Sequence, residues 1–283
     1  MLNTYEQMQN LVAAKLATVK TDGIFDTFKY SRKVMYENLW QKHPETMECR
    51  GHVYDNRYGN LVQAAPTKSF NYLENGWWKN VPLDTEVTLY KKFNGFMAAA
   101  TIYEGELVVS TTGTTNSDFA KIARSYIEKL ENRQCVFQST TTLFEIVDES
   151  DPHIVQEEFG CKVLGVRFKT ERGIWVPVSI SSDRYSMQLG EALEFVKQDR
   201  GEGFMCYDEE GNCCKLKTPY YVGKKILMRM QPKNVELMYN GFIPDRLPKE
   251  FIPVVHGIKA VYTKDQWIQR DAQARRQVIE KLI

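Results

Sequence analysis

Six cysteines and four histidines are scattered through 283 residues without one Cys-x-x-Cys pair. A zinc cage needs such ligands closely spaced, and a disulfide scaffold needs a dense ladder of them, so neither is expected. The thiols at 49, 135, 161, 206, 213 and 214 read instead as free cysteines in a reducing cytoplasm. No apolar run approaches the roughly 20 residues that a membrane helix requires. Acidic Glu6 and its polar neighbours argue against a signal peptide. Net charge is nearly missing too, with 37 basic against 36 acidic side chains, so affinity for nucleic acid must come from a local groove. There is no Gly-x-x-x-x-Gly-Lys-Ser/Thr loop, and Gly201-x-Gly203 lacks the third glycine of a dinucleotide fingerprint.

What is present is an ordinary globular composition, 43% hydrophobic and 26% charged, in a chain long enough to bury about 75% of its unfolded surface. Leu11, Val12 and Leu16 predict a helix from about Thr4 to Lys20. Short aromatic and β-branched runs follow, punctuated by Asp55-Asn56, Tyr58-Gly59-Asn60, Glu104-Gly105 and Glu210-Gly211-Asn212. Strands are expected at 87–90, 95–103 and 106–110, with Glu104-Gly105 as a tight hairpin turn. Further strands are expected at 142–147, 163–168, 174–178, 203–207 and 214–216, with helices at 117–130 and 187–198. Thr218-Pro219 reads as a helix cap followed by proline at the first helical position. A polar helix is predicted over 264–282. The expectation is an α+β fold: an antiparallel-sheet catalytic domain over 1–222 and a small, mostly helical region over 223–283.

The chemistry gathers around Lys92-Phe93-Asn94-Gly95. A lysine amine can attack the α-phosphorus of ATP and hold AMP as a phosphoramidate. It must first lose its proton, which nearby cations favour, and Lys215 and Lys217 are the candidates. Those two residues alternate with strand period and so share one face, where an anion between them would relieve their repulsion. Gly95 is read as allowing a sharp turn beneath the nucleotide. Glu202, preceding Gly203 at a strand start, could stand beside hydrated magnesium or help deprotonate the lysine. Glu145 lies in an apolar strand and suits a ribose or adenine contact, or equally an open strand face. Arg50 and Lys68 suit the β- and γ-phosphates, and Tyr30 and Phe70 could pack near the nucleotide. Each piece alone also reads blandly: a surface lysine before a hairpin, an edge strand bearing lysines, aromatic core. Their order along the chain carries the chemical reading.

Taken together these segments resemble the covalent nucleotidyltransferases, the ATP-dependent ligases and capping enzymes, and more narrowly the RNA ligase 1 family of T-even phages. The likeness runs from roughly Phe28 to Val222. Lys92-Phe93-Asn94-Gly95 resembles the nucleotidyl-lysine motif, which in that family is usually Lys-x-Asp-Gly. Glu48-Cys49-Arg50-Gly51 and Lys68-Ser69-Phe70-Asn71 resemble two upstream elements of that branch. Ser110 to Thr114, Phe144-Glu145, Val163 to Phe168, Glu202-Gly203, Lys215-Leu216-Lys217 and Tyr221-Val222 follow in family order.

The resemblance implies that Lys92 is adenylylated and that Tyr30, Arg50, Lys68, Glu145, Lys215 and Lys217 contact ATP, with Glu202 near Mg2+. AMP would pass to an RNA 5′-phosphate, and a 3′-hydroxyl would displace it to seal the strand. The implied setting is RNA repair or tRNA processing by a monomer, in the cytoplasm of a bacterial or phage-infected cell. Asn94 departs from the usual aspartate, and Thr112 stands where lysine is common. The roughly sixty-five residues after Lys217 are fewer than in the helical domain that the phage enzyme uses for tRNA specificity. Rival readings are a DNA ligase or guanylyltransferase using the same lysine, and a degenerate fold that only binds RNA or nucleotide.

Overall fold

The computed structural model describes residues 2–130, 136–151, 153–169, 174–177 and 184–283. Cys135 and position 178, the end of the strand expected at 174–178, lie outside the described residues. Backbone contacts divide the chain into two compact units, one of residues 1–69, 95–148 and 158–182, the other of residues 70–94, 149–157 and 183–283.

The first unit opens with helix α1 (Tyr5–Ala13), capped by Thr4, whose hydroxyl accepts from the Gln7 N–H. It is shorter than the predicted 4–20. Lys15 adopts φ +59°, the Leu16 N–H turns back to the Leu11 carbonyl, and the chain enters a strand. That strand, β1 (Ala17–Asp22), begins an antiparallel sheet ordered β1-β2-β3-β4, with β2 at Phe25–Tyr30, β3 at Arg50–Asp55 and β4 at Asn60–Gln63. A short helix α2 (Arg32–Tyr36) follows β2.

A second sheet in this unit has the order β11-β10-β9-β7-β8, with every pairing antiparallel. Its strands are β7 (Phe96–Tyr103), β8 (Glu106–Thr111), β9 (Thr140–Val147), β10 (Gly160–Phe168) and β11 (Trp175–Pro177). Glu104 and Gly105 both take positive φ, the two-residue turn whose twist matches the strands it joins. Helix α3 (Asp118–Glu128) is capped by Ser117 and lays Ala123 and Ile127 on Ala98, Ala100, Val109, Phe144 and Ile146. Every position of β9 is buried, so Glu145 sits in the interior and not on an open face.

The second unit is built on a sheet ordered β12-β6-β13-β14-β5. These strands are β5 (Phe70–Asn71), β6 (Glu86–Lys92), β12 (Arg184–Gln188), β13 (Gly203–Asp208) and β14 (Cys213–Lys217). All pairings are antiparallel except β14 with β5. Leu89, Phe204, Cys206, Cys214 and Leu216 form an apolar face under helix α4 (Leu189–Gln198), which contributes Leu189, Ala192 and Val196. Met187 and Gln188, expected to be helical, are the last two residues of β12.

Five helices complete this unit: α5 (Pro219–Met228), α6 (Pro232–Tyr239), α7 (Ile252–Val261), α8 (Lys264–Gln269) and α9 (Ala272–Leu282). The expected boundary at residue 222 falls inside α5. The helix predicted over 264–282 is two helices, because Arg270 is extended and Asp271 caps a fresh start by accepting from the Ala274 N–H. These helices share a core with Ile154 and Val155 of the 149–157 segment. At its centre Arg275, buried beside Trp267, donates to the carbonyls of Trp267, Ile268, Met228 and Met230. One side chain thereby satisfies end carbonyls of α5 and α8 that lack intrahelical partners, and the Met230 carbonyl in the turn after α5.

Candidate active site

Strand register sets the centre of the site, in the second unit. Gly203 on β13 lies opposite Lys92 on one neighbouring strand and opposite Lys217 on the other. Side chains at these positions point to one face, with Tyr90, Met205 and Lys215 two residues further along it. Lys91 is out of phase, paired with the core residue Phe204, so alternation alone separates the two adjacent lysines. Gly203 has φ +136°, and a Cβ there would overlap the Leu216 carbonyl. The middle of the face is therefore open, with lysines on both sides.

Glu202, only 4% exposed, fills that opening. Its Oε1 accepts from Lys92 Nζ at 2.9 Å and, in a short contact, from Lys217 Nζ. Its Oε2 accepts from Asn94 Nδ2 at 3.1 Å. Burial alone would raise the Glu202 carboxyl, but the ammonium groups of Lys92 and Lys217 outweigh it and hold the group below its ordinary range. Burial pushes the Lys217 ammonium down to about 8; the Lys92 charge adds to this and the Glu202 carboxylate opposes it. Lys217 also lies over the Tyr221 ring, 4.6 Å from its centroid. Thr218 places both residues: it caps α5 by accepting from the Tyr221 N–H, while its hydroxyl donates to the Gly201 carbonyl.

Asn94 is the residue whose part was missed in the sequence, where it stood out only as a departure from aspartate. It is 9% exposed, and its Oδ1 accepts from the backbone N–H groups of Ile154 and Val155 at 2.8 and 2.9 Å. Its own backbone N–H donates to the Glu157 carboxylate, a group that burial pushes upward. No local signal joins position 94 to 154–157; sixty residues of chain separate them.

Other predicted residues fall as follows. In the first unit, Tyr30 meets Trp40 edge-on at 4.9 Å, and the Lys68 ammonium lies 5.5 Å from the same Trp40 ring. Trp40 escaped the sequence reading because no motif marks it. Glu145 is 6% exposed, and its Oε1 accepts from the Gly95 N–H at 3.0 Å. Gly95 does not have the left-handed backbone expected of a sharp turn; glycine is needed because a Cβ would overlap the Ile146 carbonyl. Arg50 is half-buried on β3, paired in register with Lys29. At its neighbour Gly51, φ is +100° and the Thr112 backbone approaches closely. Nearby Glu48, half-buried, is bound by buried Arg167 at 2.9 Å and by the Thr67 hydroxyl at 2.6 Å, on motif segments of the first unit. In the second unit, Phe70 is buried against Trp77, 5.6 Å between ring centroids.

Among the described residues, no group of three or more His, Cys, Asp or Glu side chains is arranged to hold a metal ion. Glu202 already accepts from three donors, leaving about one of the four positions that a carboxylate offers. That fits a magnesium ion carried mainly by phosphate and water, not a protein cage. No described helix is long and apolar enough to cross a membrane.

No protein-family model matches the chain, and no curated protein matches it by sequence. Solved structures do match its fold. Two forms of an archaeal ATP-dependent RNA ligase superpose with TM-scores of 0.55 and 0.53 at 13% and 14% identity. They cover 96% and 97% of this chain and 76% of the archaeal one. A protein from Aquifex aeolicus, provisionally described as an ATP-dependent DNA ligase, matches with a TM-score of 0.52 at 13% identity, over 98% of this chain and 78% of its own. At such identities the likeness is one of architecture: the chain shares the α+β fold of these ligase structures.

Proposed function

We propose that the chain is an ATP-dependent RNA ligase of the kind represented by the RNA ligase 1 family of T-even phages. The observation that carries this reading is the Lys92–Glu202–Lys217 cluster on adjoining strands of a ligase fold. Lys92 Nζ attacks the α-phosphorus of ATP; an N–P bond forms and the bond to pyrophosphate breaks. Glu202, 2.9 Å from that nitrogen, is within reach to take its proton. Lys217 and Lys215 offset charge developing on the α-phosphate. AMP then passes to an RNA 5′-phosphate, and a 3′-hydroxyl displaces AMP as the strand is sealed.

Tyr30, Arg50, Lys68, Phe70 and Glu145 complete the proposed ATP contacts, Gly95 and Gly203 keep the backbone close-packed at the motif, and Tyr221 backs Lys217. Mg2+ bound with ATP would neutralise phosphate charge near Glu202. The partner is RNA with 5′-phosphate and 3′-hydroxyl ends, joined by a monomer in the cytoplasm, and residues 1–222 carry the nucleotidyl-transfer chemistry.

Incubation with α-labelled ATP should leave an acid-stable, hydroxylamine-resistant label on the protein. Lys92→Ala should abolish it. An unlabelled wild type, or a labelled Lys92→Ala variant, refutes the reading. The Aquifex aeolicus match favours one alternative, a DNA ligase using the same lysine. Single-stranded RNA, nicked tRNA and nicked duplex DNA tested side by side separate the two.

A further inference from the structure

The substitution of asparagine for the motif's usual acid has a structural counterpart. Glu202 is buried, and its two oxygens face different partners: Oε1 the ammonium groups of Lys92 and Lys217, Oε2 the Asn94 carboxamide. A carboxylate held on one side only could rotate about its last bond. Held on both, its orientation is fixed. The Asn94 side chain is fixed in turn, because Oδ1 is engaged by two backbone N–H groups and only the NH2 end is left to face Glu202. This geometry also assigns the amide orientation, since the reversed rotamer would aim NH2 at two donors.

We infer that Asn94 is a positioning residue: by presenting an acceptor to residues 154–155 and a donor to Glu202, it locks the Glu202 carboxylate toward the two lysines. Aspartate would keep the first contact and lose the second, setting two carboxylate oxygens face to face at about the present 3.1 Å. Alanine would lose both and leave two backbone N–H groups without acceptors. Aspartate is therefore the diagnostic change, because it spares the contact that holds the chain and alters only the one that holds Glu202.

The kinetic consequence rests on the ligase reading; the stability consequence does not. Asn94→Asp should lower the maximal rate of single-turnover self-adenylylation at least tenfold while the half-saturating ATP concentration stays within twofold. A role confined to bracing the backbone would move neither. Independently, Asn94→Asp should lower the melting temperature of the otherwise wild-type chain. In a Glu202→Gln background it should raise it, because a donor and an acceptor again face each other with their roles exchanged. That reversal of sign is the decisive result. Failure of Asn94→Asp to raise the melting temperature of Glu202→Gln, or an unchanged rate in Asn94→Asp alone, overturns the inference. Should the wild type not self-adenylylate, the ligase reading fails, and the melting-temperature cycle still decides the role of Asn94.

Discussion

Two lysines sharing one carboxylate oxygen form an arrangement whose charge balance can be measured directly. In the cluster the Lys217 ammonium is disfavoured by burial and by Lys92, and favoured by Glu202. Glu202→Gln should therefore move the Lys217 midpoint below about 8, and Lys92→Met should move it above. Titration of the Lys217 side chain by NMR with labelled lysine reads both signs, and shifts in the same direction would contradict the arrangement. At this scale much was visible in the sequence. The Lys-x-x-Gly spacing and the strand-period lysines, each bland alone, nominate Lys92, Lys215 and Lys217 through their order along the chain, and alternation gives the side-chain direction. Asn94 and Trp40 were not legible, since their roles depend on partners that only the folded chain supplies.

Elements explain how Glu202 finds room between the two lysines. Gly203 sits between two lysine-bearing strands at positive φ, with the Leu216 carbonyl where a side chain would begin. Gly203→Ala should destabilise the second unit by about 2–4 kcal/mol, from backbone strain together with steric overlap. Urea unfolding followed by a probe in the β6–β13–β14 sheet checks it, and a loss under about 1 kcal/mol would mean that the strands part easily. Local chemistry made several elements readable in advance. The Glu104-Gly105 turn, the Ser117 cap and the Thr218-Pro219 start obey short-range rules and lie where the sequence put them. The end of α1 and the break at Arg270 were misread because helical periodicity runs through both. Pairing of residues 17–22 with β2 decides the first, and a new cap at Asp271 decides the second. Glu145 shows the same limit: two equal readings of a glutamate in an apolar strand were separated only by the burial of all of β9.

For the molecule as a whole, the C-terminal helices and the lysine cluster are parts of one unit. Ile154 and Val155 lie in the helical core, while their N–H groups hold Asn94 and, through it, Glu202. A chain cut after Val222 would expose Ile154, Val155 and Tyr221 and should fail to self-adenylylate, even though every proposed catalytic side chain is retained. Soluble yield and labelling of the 1–222 fragment test this, and full labelling would show the helices to be dispensable. Arg275→Leu, which strips four carbonyls of their donor, should cost about 3–5 kcal/mol and weaken labelling by the same route.

Asn94-Gly95 has a further consequence, on the timescale of ageing. Asparagine followed by glycine loses ammonia readily in flexible chains, when the glycine nitrogen closes a ring on the carboxamide carbon, and asparagine is among the thermolabile residues for such reasons. Here each unit restrains one reactant: the Asn94 carboxamide is bound to Ile154, Val155 and Glu202 in the second, and the Gly95 nitrogen donates to Glu145 in the first. Folding of both units thus protects the dipeptide, and unfolding of either releases one reactant. Deamidation at position 94 becomes a lasting chemical record of how often the protein has come apart, written at the residue that orients Glu202.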